Sequence, residues 1–366
     1  MKAAQFLSNL SLTIVLASCV GDAPGSRNDL TTPNPLRLSG EPVCPECRIV
    51  LSQVASLGHP SDPASVQSDA AVAGCMVAAA SDGTFLLGGV VGGGEIFVYG
   101  RDGQVASSIG QEGAGPGEFG SDLRLMTAGD TVIVVDNSNA RIVTTDLNGA
   151  VLESFQLPIR VNSFARLATG HYLLHGRPSI GPDQPLFRLL DGTGTEISKF
   201  GRSTRDAWDT DQWVVSPGKS AHFWAASMWE YRLFRGWNDT LATAVIRDVD
   251  WFPSENVWSP EILETEPPPP LIMYLHETDD RLLWVFVALA DSDWAPGIPD
   301  AGSAQWFKDS FDTMIEVIDL DGGRVLASHR SDDYLGGVCG TKLVYAVTPE
   351  HTGHVMVSVF EPHLER

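Results

Sequence analysis

The chain has 366 residues, and 43% of them are hydrophobic, which is enough for a large core and excludes a mostly disordered protein. Its formal net charge is −22 at pH 7, so it repels phosphate backbones and anionic lipid headgroups, and nucleic acid is excluded as a partner. The 36 glycines and 23 prolines favour a turn-rich β protein over a helical bundle.

The N-terminal residues predict export. An apolar stretch begins at Leu10; it is too short to span a bilayer but has the length of the apolar part of a signal peptide. It ends in Leu-Ala-Ser-Cys19, which resembles the lipobox of bacterial lipoproteins, where cleavage precedes the cysteine and the cysteine carries the lipid. We therefore predict a signal peptide over residues 1–18 and a lipid at Cys19 that anchors the protein to a bacterial membrane, on the periplasmic or the surface side. An ordinary secretory signal is the alternative.

The residues after Cys19 predict a tether. Residues 19–43 are rich in Gly, Pro, Ser, Thr, Asn and Asp and contain few large apolar side chains. Such a segment cannot bury enough apolar surface to fold alone, so we expect it to be flexible. The folded domain is then expected to cover residues 44–366, and the lipid is the only contact with the membrane that we predict.

Four further cysteines follow the tether. Because an exported protein meets an oxidising compartment, we expect disulfides, and four cysteines allow three connectivities. The spacing of the first two also matches half of a zinc site, but the other half is missing, so a structural disulfide is favoured. The four residues are Cys44, Cys47, Cys75 and Cys339.

From Val77 onward, short strand-like runs alternate with turn dipeptides. Asp-Gly and Asn-Gly accept the positive φ angles of tight hairpin turns. Successive turns of this kind are separated by 46, 43, 47 and 83 residues. A period in the forties, with several strands in each repeat, is typical of β-propeller blades. The five turns are Asp102-Gly103, Asn148-Gly149, Asp191-Gly192, Asn238-Asp239 and Asp321-Gly322.

We therefore predict an all-β fold, a six-bladed β-propeller of four-stranded antiparallel blades. The C-terminal residues supply only two segments of the sixth blade, at 343–347 and 354–360, whereas the strand-like run Arg48–Leu57 has no partner nearby. We expect this run to complete the last blade as its outer strand and to close the ring. A seventh blade inside the 83-residue interval is the alternative. The five complete blades are predicted at residues 76–109, 123–157, 163–200, 213–249 and 271–329.

Two motifs resemble a known repeat. The loop Ile109-Gly-Gln-Glu-Gly-Ala-Gly-Pro-Gly-Glu-Phe119 resembles the inter-blade loop of bacterial six-bladed propellers related to NHL repeats. The segment Val135-Asp-Asn-Ser-Asn-Ala-Arg-Ile142 resembles the strand–turn–strand core of the same repeats. The resemblance is strong over residues 95–157, and later blades match in spacing only. It implies a six-bladed, TolB-like architecture but no particular reaction, because propellers host many functions.

Two metal hypotheses arise. Asp136, Asn137 and Asn139 are expected to bond the backbone of their own turn, although their oxygens also suit calcium, the one cofactor that we consider. Some NHL propellers are zinc-dependent amidating lyases whose histidines surround the central channel, and His222 and His276 lie near predicted inner strands. A metal-dependent lyase or hydrolase at the channel mouth is therefore the alternative function, although core or surface histidines are the plainer interpretation. The sequence alone identifies no metal site and no catalytic residue.

All ten tryptophans lie between residues 208 and 306. In an antiparallel four-stranded blade, the loop between the second and third strands and the link to the next blade emerge on the same face. The irregular stretches 201–212, 250–270 and 291–310 should therefore share one face, and we predict that their tryptophans form a ligand-binding surface. A packed lid that buries the rings is the alternative. The five tryptophans of these stretches are Trp208, Trp251, Trp258, Trp294 and Trp306.

The predicted function is that of a binding scaffold in the cell envelope. Tryptophan stacks on sugars and anchors protein interfaces, so the partner classes that we expect are an envelope protein, a peptide or a polysaccharide. The carboxylates near the tryptophans would accept hydrogen bonds from hydroxyls or amines, and together with the net charge they should disfavour anionic ligands. These carboxylates belong to Glu255, Asp291, Asp293 and Asp300.

Overall fold

The computed structural model describes residues 35–58, 66–67, 75–88, 94–177, 185–202, 212–253, 265–296, 304–349 and 354–366. The first strands along the chain are β1 (Leu36–Ser39), β2 (Arg48–Leu57) and β3 (Val66–Gln67). All three join sheets that are built mainly from later parts of the chain.

Five antiparallel sheets are each built from four consecutive strands, with the first strand of each blade nearest the ring axis. Blade one contains β4 (Val77–Ala79), β5 (Phe85–Leu87), β6 (Ile96–Tyr99) and β7 (Val105–Ile109). Blade two contains β8 (Leu123–Ala128), β9 (Thr131–Asp136), β10 (Arg141–Asp146) and β11 (Val151–Gln156). Blade three contains β12 (Arg160–Arg166), β13 (Tyr172–Arg177), β14 (Pro185–Leu190) and β15 (Glu196–Arg202).

The later blades carry the longer connections. Blade four contains β16 (Trp213–Pro217), β17 (His222–Ser227), β18 (Arg232–Trp237) and β19 (Thr240–Asp248). Blade five contains β20 (Leu271–Glu277), β21 (Leu282–Ala290), the helix α1 (Ala304–Ser310), β22 (Phe311–Asp319) and β23 (Arg324–Ser331). Blade six contains β24 (Leu335–Gly337), β25 (Val344–Pro349) and β26 (His354–Glu365), together with β2.

The predicted six-bladed propeller and its closure are confirmed. Strand β2 pairs antiparallel with β26, from Arg48 opposite Glu365 to Leu57 opposite Val357, so the N-terminal strand is the outer strand of blade six. The described residues form six sheets, and the alternative with seven blades is therefore wrong. Closure removes the open edge that an unpaired β26 would present.

Part of the segment that the sequence predicts to be a tether forms a strand. Within the predicted tether of residues 19–43, β1 pairs in parallel with β19 and adds a fifth strand to blade four. The buried Leu38 offers its carbonyl to Arg247 at 3.3 Å, and the backbone N–H of Val43 donates to the carbonyl of Val325 at 3.0 Å. The composition of the segment does not reveal this strand, because its pairing partner lies about 200 residues away. The part of the predicted tether before residue 35 is outside the described residues.

The core lies between neighbouring blades. Because each blade is sandwiched by two others, both faces of its middle strands are covered, and eight of the nine residues of β21 are buried. The outer strand β11 has no such cover on its solvent side and is mostly exposed. The inner and middle strands therefore consist largely of runs of apolar residues, whereas the outer strands contain both apolar and polar residues.

The glycine-rich loop before blade two has a structural role. Phe119 is fully buried and pairs with Gln111 and Gly113 through backbone hydrogen bonds of 2.8 and 3.0 Å. Gly110 has a φ angle of 77°, and a Cβ there would lie 2.4 Å from the Phe119 ring, so a larger residue cannot replace it without a shift. The Phe119 ring belongs to a core cluster with Ile96 of blade one and Leu125 of blade two, so it packs between these blades.

No helix among the described residues is both long and apolar enough to cross a membrane.

Candidate functional site

A cavity of about 320 Å³ lies on the ring axis, at the end where the chain enters the inner strands. Every blade contributes to it through residues at or near the start of its inner strand, so the cavity exists only when the ring is closed. We call this cavity the channel mouth. Its lining residues are Cys75, Arg124, Arg160, Asn162, Ser163, Gln212, Trp213, Val214, Val215, Met228, Met273, Tyr274, Tyr334, Gly336, Gly337 and Cys339.

The channel mouth is lined by described residues that adjoin two of the predicted insertions. Gln212 directly follows the stretch 203–211, and Met228 lies in the loop between the second and third strands of blade four. The backbone of Met228 accepts a hydrogen bond of 2.9 Å from Ile272, which follows the insertion at 250–270. Described residues that adjoin two of the insertions therefore lie at this opening, and parts of these insertions are outside the described residues.

Two arginines supply the charge of the channel mouth. Arg124 of blade two and Arg160 of blade three both pair with Asp122, each through a hydrogen bond of 2.8 Å. The Nε of Arg124 is buried and has no hydrogen-bond partner among the described residues, whereas the Arg160 side chain is 69% exposed. Two guanidinium groups therefore share one carboxylate, which leaves one positive charge in excess at the rim.

The opposite wall is apolar. Trp213 is buried at the start of blade four and packs edge-on against Phe187, with ring centroids 5.4 Å apart. The Tyr334 hydroxyl lies 3.9 Å from the sulfur of Met273, and burial raises the pKa of Tyr334 well above its usual range, so this phenol stays neutral. Together with Met228 these side chains form a surface for apolar groups, and methionine adapts readily to different shapes.

A disulfide forms part of the cavity lining. Cys75 precedes the inner strand of blade one and is bonded to Cys339, two residues after the inner strand of blade six. The four predicted disulfide candidates are thus used in two pairs, because Cys44 is bonded to Cys47. The Cys75–Cys339 bond joins the first blade to the last directly beside the channel mouth.

The predicted tryptophans divide into two groups. Trp208 and Trp258 lie outside the described residues. Trp251, Trp294 and Trp306 are half-buried, and two of them pack on the core: Trp251 contacts Tyr231 at 5.8 Å between ring centroids, and Trp306 contacts the Phe311 ring at 5.4 Å. Trp251 and Trp306 therefore cover part of the core, while Trp251, Trp294 and Trp306 each keep some exposed area.

Among the tryptophans that the structure describes, Trp237 is the most exposed, at 38%. It ends β18 at the face opposite the channel mouth, where its ring lies 4.8 Å from the guanidinium of Arg235. The sequence argument missed it because it sits in a regular strand rather than in an insertion.

The histidines that a metal site would need lie away from the channel mouth. His222 and His276 are buried near the opposite face, and His222 hydrogen-bonds the buried carboxylate of Glu277 through Nε2 and Ser220 through Nδ1, the latter at 2.7 Å. Trp224 donates to the same carboxylate at 2.9 Å. Burial alone would raise the pKa of Glu277, but the hydrogen bonds from His222 and Trp224 outweigh it and lower the pKa to about 2.

The oxygen cluster of blade two is also engaged by protein groups. Asp136 is fully buried; it accepts hydrogen bonds from the backbone of Asn139 at 3.1 Å and from Arg141 at 3.3 Å. Both amide atoms of Asn137 bond the backbone of Val161 in blade three, at 2.8 and 2.9 Å. A carboxylate that already neutralises a guanidinium is a poor calcium ligand. Among the described residues, no three His, Cys, Asp or Glu side chains are grouped to hold a metal ion.

The sequence reasoning missed the residues that line the channel mouth. A usable signal was present, because the starts of the inner strands surround one end of the ring axis. Four lining residues lie at or within three residues of such a predicted start: Arg124, Arg160, Gln212 and Met273. Polar and charged side chains at several of these positions are the pattern that a search by blade register would have found.

Comparisons with known proteins agree with the fold. The sequence pattern of the family described as a 6-bladed beta-propeller, DUF5128, matches residues 89–188. A protein from Bacteroides fragilis that is assigned as exported has a similar structure, with a TM-score of 0.58 and 10% identity over 90% of this chain and 99% of its own. A DUF4221 family member from Bacteroides vulgatus has a TM-score of 0.59 and 10% identity over 87% of this chain and 99% of its own. No curated protein matches the sequence.

Proposed function

We propose that this protein is an exported, lipid-anchored β-propeller that binds a protein, peptide or polysaccharide partner at the channel mouth. The observation that carries the proposal is the cavity itself, a concave site of about 320 Å³ to which all six blades contribute. Its lining joins an apolar wall to a few polar and charged groups, which is the usual composition of a ligand site.

The proposed export and lipid anchor rest on the N-terminal sequence. The apolar stretch that ends at Cys19 has the form of a lipoprotein signal, and an exported assignment of the Bacteroides fragilis protein with the same fold supports export. Labelling of the protein in cells with radioactive palmitate tests the anchor. The label should be lost when Cys19→Ala is introduced, and a label that persists in this variant would contradict lipidation at this residue.

The insertions extend the binding surface beyond the cavity. The order of the strands predicts that they emerge on the same face, and the half-buried rings of Trp251, Trp294 and Trp306 keep area with which a partner can make contact. A partner seated in the channel mouth would be flanked by these loops, so the predicted tryptophan surface and the cavity form one binding face.

A substitution that fills the cavity tests the proposal. Met228→Trp adds an indole to the half-buried residue at the wall of the channel mouth, whereas Leu152→Trp adds the same group to a residue that is 55% exposed on the outer strand of blade two. The three purified proteins are applied to arrays of defined peptides and bacterial glycans. We expect ligands of the unsubstituted protein to bind the Met228 variant at least tenfold more weakly and the Leu152 variant equally well.

The result that contradicts the proposal is equally clear. If the ligands bind both variants as tightly as the unsubstituted protein, the channel mouth is not their site. If the protein binds no peptide and no glycan on the arrays, the partner classes named here are wrong. Circular dichroism of the variants shows whether either substitution disturbs the fold.

A further inference from the structure

We infer that the channel mouth recognises the free C-terminal carboxylate of a peptide, with Arg124 and Arg160 as the groups that bind it. The inference rests on the proposed function, because it assigns a ligand class to the same site. It departs from the sequence-based expectation that anionic ligands are disfavoured. Among the described residues, the lining of the cavity contains two arginines and no acidic side chain, in a chain whose net charge is −22.

The number of charges at the two arginines favours a ligand with a single negative charge. Asp122 is the only acidic partner that the described ion pairs give to Arg124 and Arg160, so the group carries one excess positive charge. A carboxylate has one negative charge and matches this excess. A phosphate has nearly two, and both Asp122 and the net charge of the protein would repel the second.

Both guanidinium groups also have donors available for a ligand. Each guanidinium has five N–H groups in a planar fork that fits the two oxygens of a carboxylate. Two nitrogens of Arg160, Nη2 and Nε, donate to Asp122 at 2.8 and 3.2 Å, and 69% of the Arg160 side chain is exposed. Arg124 reaches Asp122 and the carbonyl of Leu123 through Nη1, so the hydrogen bonds of the described residues leave its Nη2 unused, whereas its Nε is buried. A ligand carboxylate can therefore accept hydrogen bonds from Nη2 of Arg124 and from the remaining nitrogen of Arg160, and bonds between charged groups are the stronger kind.

The other lining residues favour a peptide over an acidic sugar. The wall that faces the arginines is formed by Met228, Met273 and Tyr334, which suit an apolar side chain. The amides of Asn162 and Gln212 can pair with a peptide backbone, which has one donor and one acceptor per residue. A uronic acid instead presents hydroxyls on most of its ring, and an apolar wall would leave them unpaired. The volume of about 320 Å³ is at the lower end for small-molecule sites, so only the last residues of a peptide would enter.

Paired short peptides test the inference. Acetylated dipeptides that end in Leu, Met or Phe are prepared as free acids and as C-terminal amides, and their dissociation constants are measured by calorimetry. We expect at least one acid to bind at least tenfold more tightly than its amide, with an affinity that falls as the salt concentration rises. Arg160→Gln should abolish this difference by weakening the acid alone, and Arg124→Gln should do the same.

The control is Arg324→Gln, which removes an exposed arginine that is paired with Asp319 at 3.1 Å in a turn of blade five. It should leave the preference for the acid unchanged. Because Arg160 is largely exposed, its variant should keep the fold, and a thermal melt verifies this.

The outcomes separate the inference from the proposed function. Equal binding of acids and amides, or a preference that survives Arg160→Gln, overturns the carboxylate assignment while binding at the channel mouth can still stand. A preference that survives Met228→Trp as well shows that the cavity is not the site, and the proposed function fails with it. If the peptides do not bind but oligogalacturonate binds in a manner that requires Arg160, the ligand is an acidic sugar and the peptide assignment is wrong.

Discussion

At the scale of single residues, two adjacent buried residues at the end of β20 differ in how their surroundings treat a charge. Glu277 keeps its charge because His222, Trp224 and Arg281 hydrogen-bond its carboxylate. His276 has no such help. Burial, followed by the charges of Lys219 and Lys342, lowers its pKa from 6.5 to about 4, and its Nδ1 has no hydrogen-bond partner among the described residues.

This contrast predicts a specific acid sensitivity. Below pH 6.5 the unfolded chain gains a proton at His276 that the folded protein does not accept until about pH 4, so stability falls as the pH decreases through this window. Above pH 6.5 this loss is absent, and over the whole window it lowers the free energy of unfolding by at most about 3 kcal/mol. His276→Leu should flatten this part of the pH dependence, as measured by urea unfolding at pH 7, 6 and 5.

The matched control is His329→Gln, which changes an exposed histidine in the same blade. Its unfolding free energy should follow the same pH dependence as the unsubstituted protein. A His276→Leu variant that loses stability on acidification as steeply as the unsubstituted protein would show that other groups cause the effect.

At the scale of elements, the N-terminal segment spans the rim of three blades. It adds β1 to blade four, hydrogen-bonds β23 of blade five through Val43 and Cys44, and supplies β2 to blade six. Arg247 ties it down further, since this buried guanidinium bonds the carbonyl of Leu38 and pairs with Glu316 of blade five at 2.9 Å. The first described residues therefore contribute to the stability of the last three blades.

Removal of residues 44–57 should destabilise the whole domain. It exposes the edge of β26 and removes the buried side chains of Ile49 and Leu57, which together contribute about 3–6 kcal/mol. The melting temperature should fall, and limited proteolysis should cut blade six first. Removal of residues 22–34 from the predicted tether serves as the control and should leave the melting temperature unchanged. A shortened chain without 44–57 that melts like the intact protein would show that β2 does not stabilise the ring.

At the scale of the whole molecule, two disulfides of very different span close parts of the chain. The Cys75–Cys339 bond has a sequence separation of 264 residues and joins the two blades between which the ring closes. The Cys44–Cys47 bond has a separation of 3. A crosslink stabilises mainly by restricting the unfolded chain, and the effect increases with the length of the closed loop.

The two bonds should therefore differ in their effect on unfolding. Replacing Cys75 and Cys339 by alanine should lower the free energy of unfolding by up to about 5 kcal/mol, whereas replacing Cys44 and Cys47 should cost roughly 2 kcal/mol. Urea unfolding of the two double variants measures this difference, and peptide mapping without reductant verifies the bonds. Equal losses in the two variants would contradict an effect of loop length.

Much of the fold could be predicted from the sequence because a blade is a local structure. Consecutive strands pair with one another, and their turns require residues such as Asp102-Gly103 that tolerate positive φ, with Gly103 at 76°. The spacing of these turns therefore reports the number of blades. Even the closure by Arg48–Leu57 follows from a count of strands, since the last blade lacks one.

The candidate site could not be predicted in the same way. The residues of the channel mouth come from the inner strands of six blades and from adjoining loops, and Arg124 and Met273 lie far apart in the sequence, so only closure of the ring brings them together. Tertiary packing also decides how Trp251 and Trp306 divide their surface between the core and the solvent. The sequence by itself determined the repeat and its number, because these depend on neighbours along the chain. The tertiary structure decided the charge and the shape of the site, because these depend on residues that meet only across the ring axis.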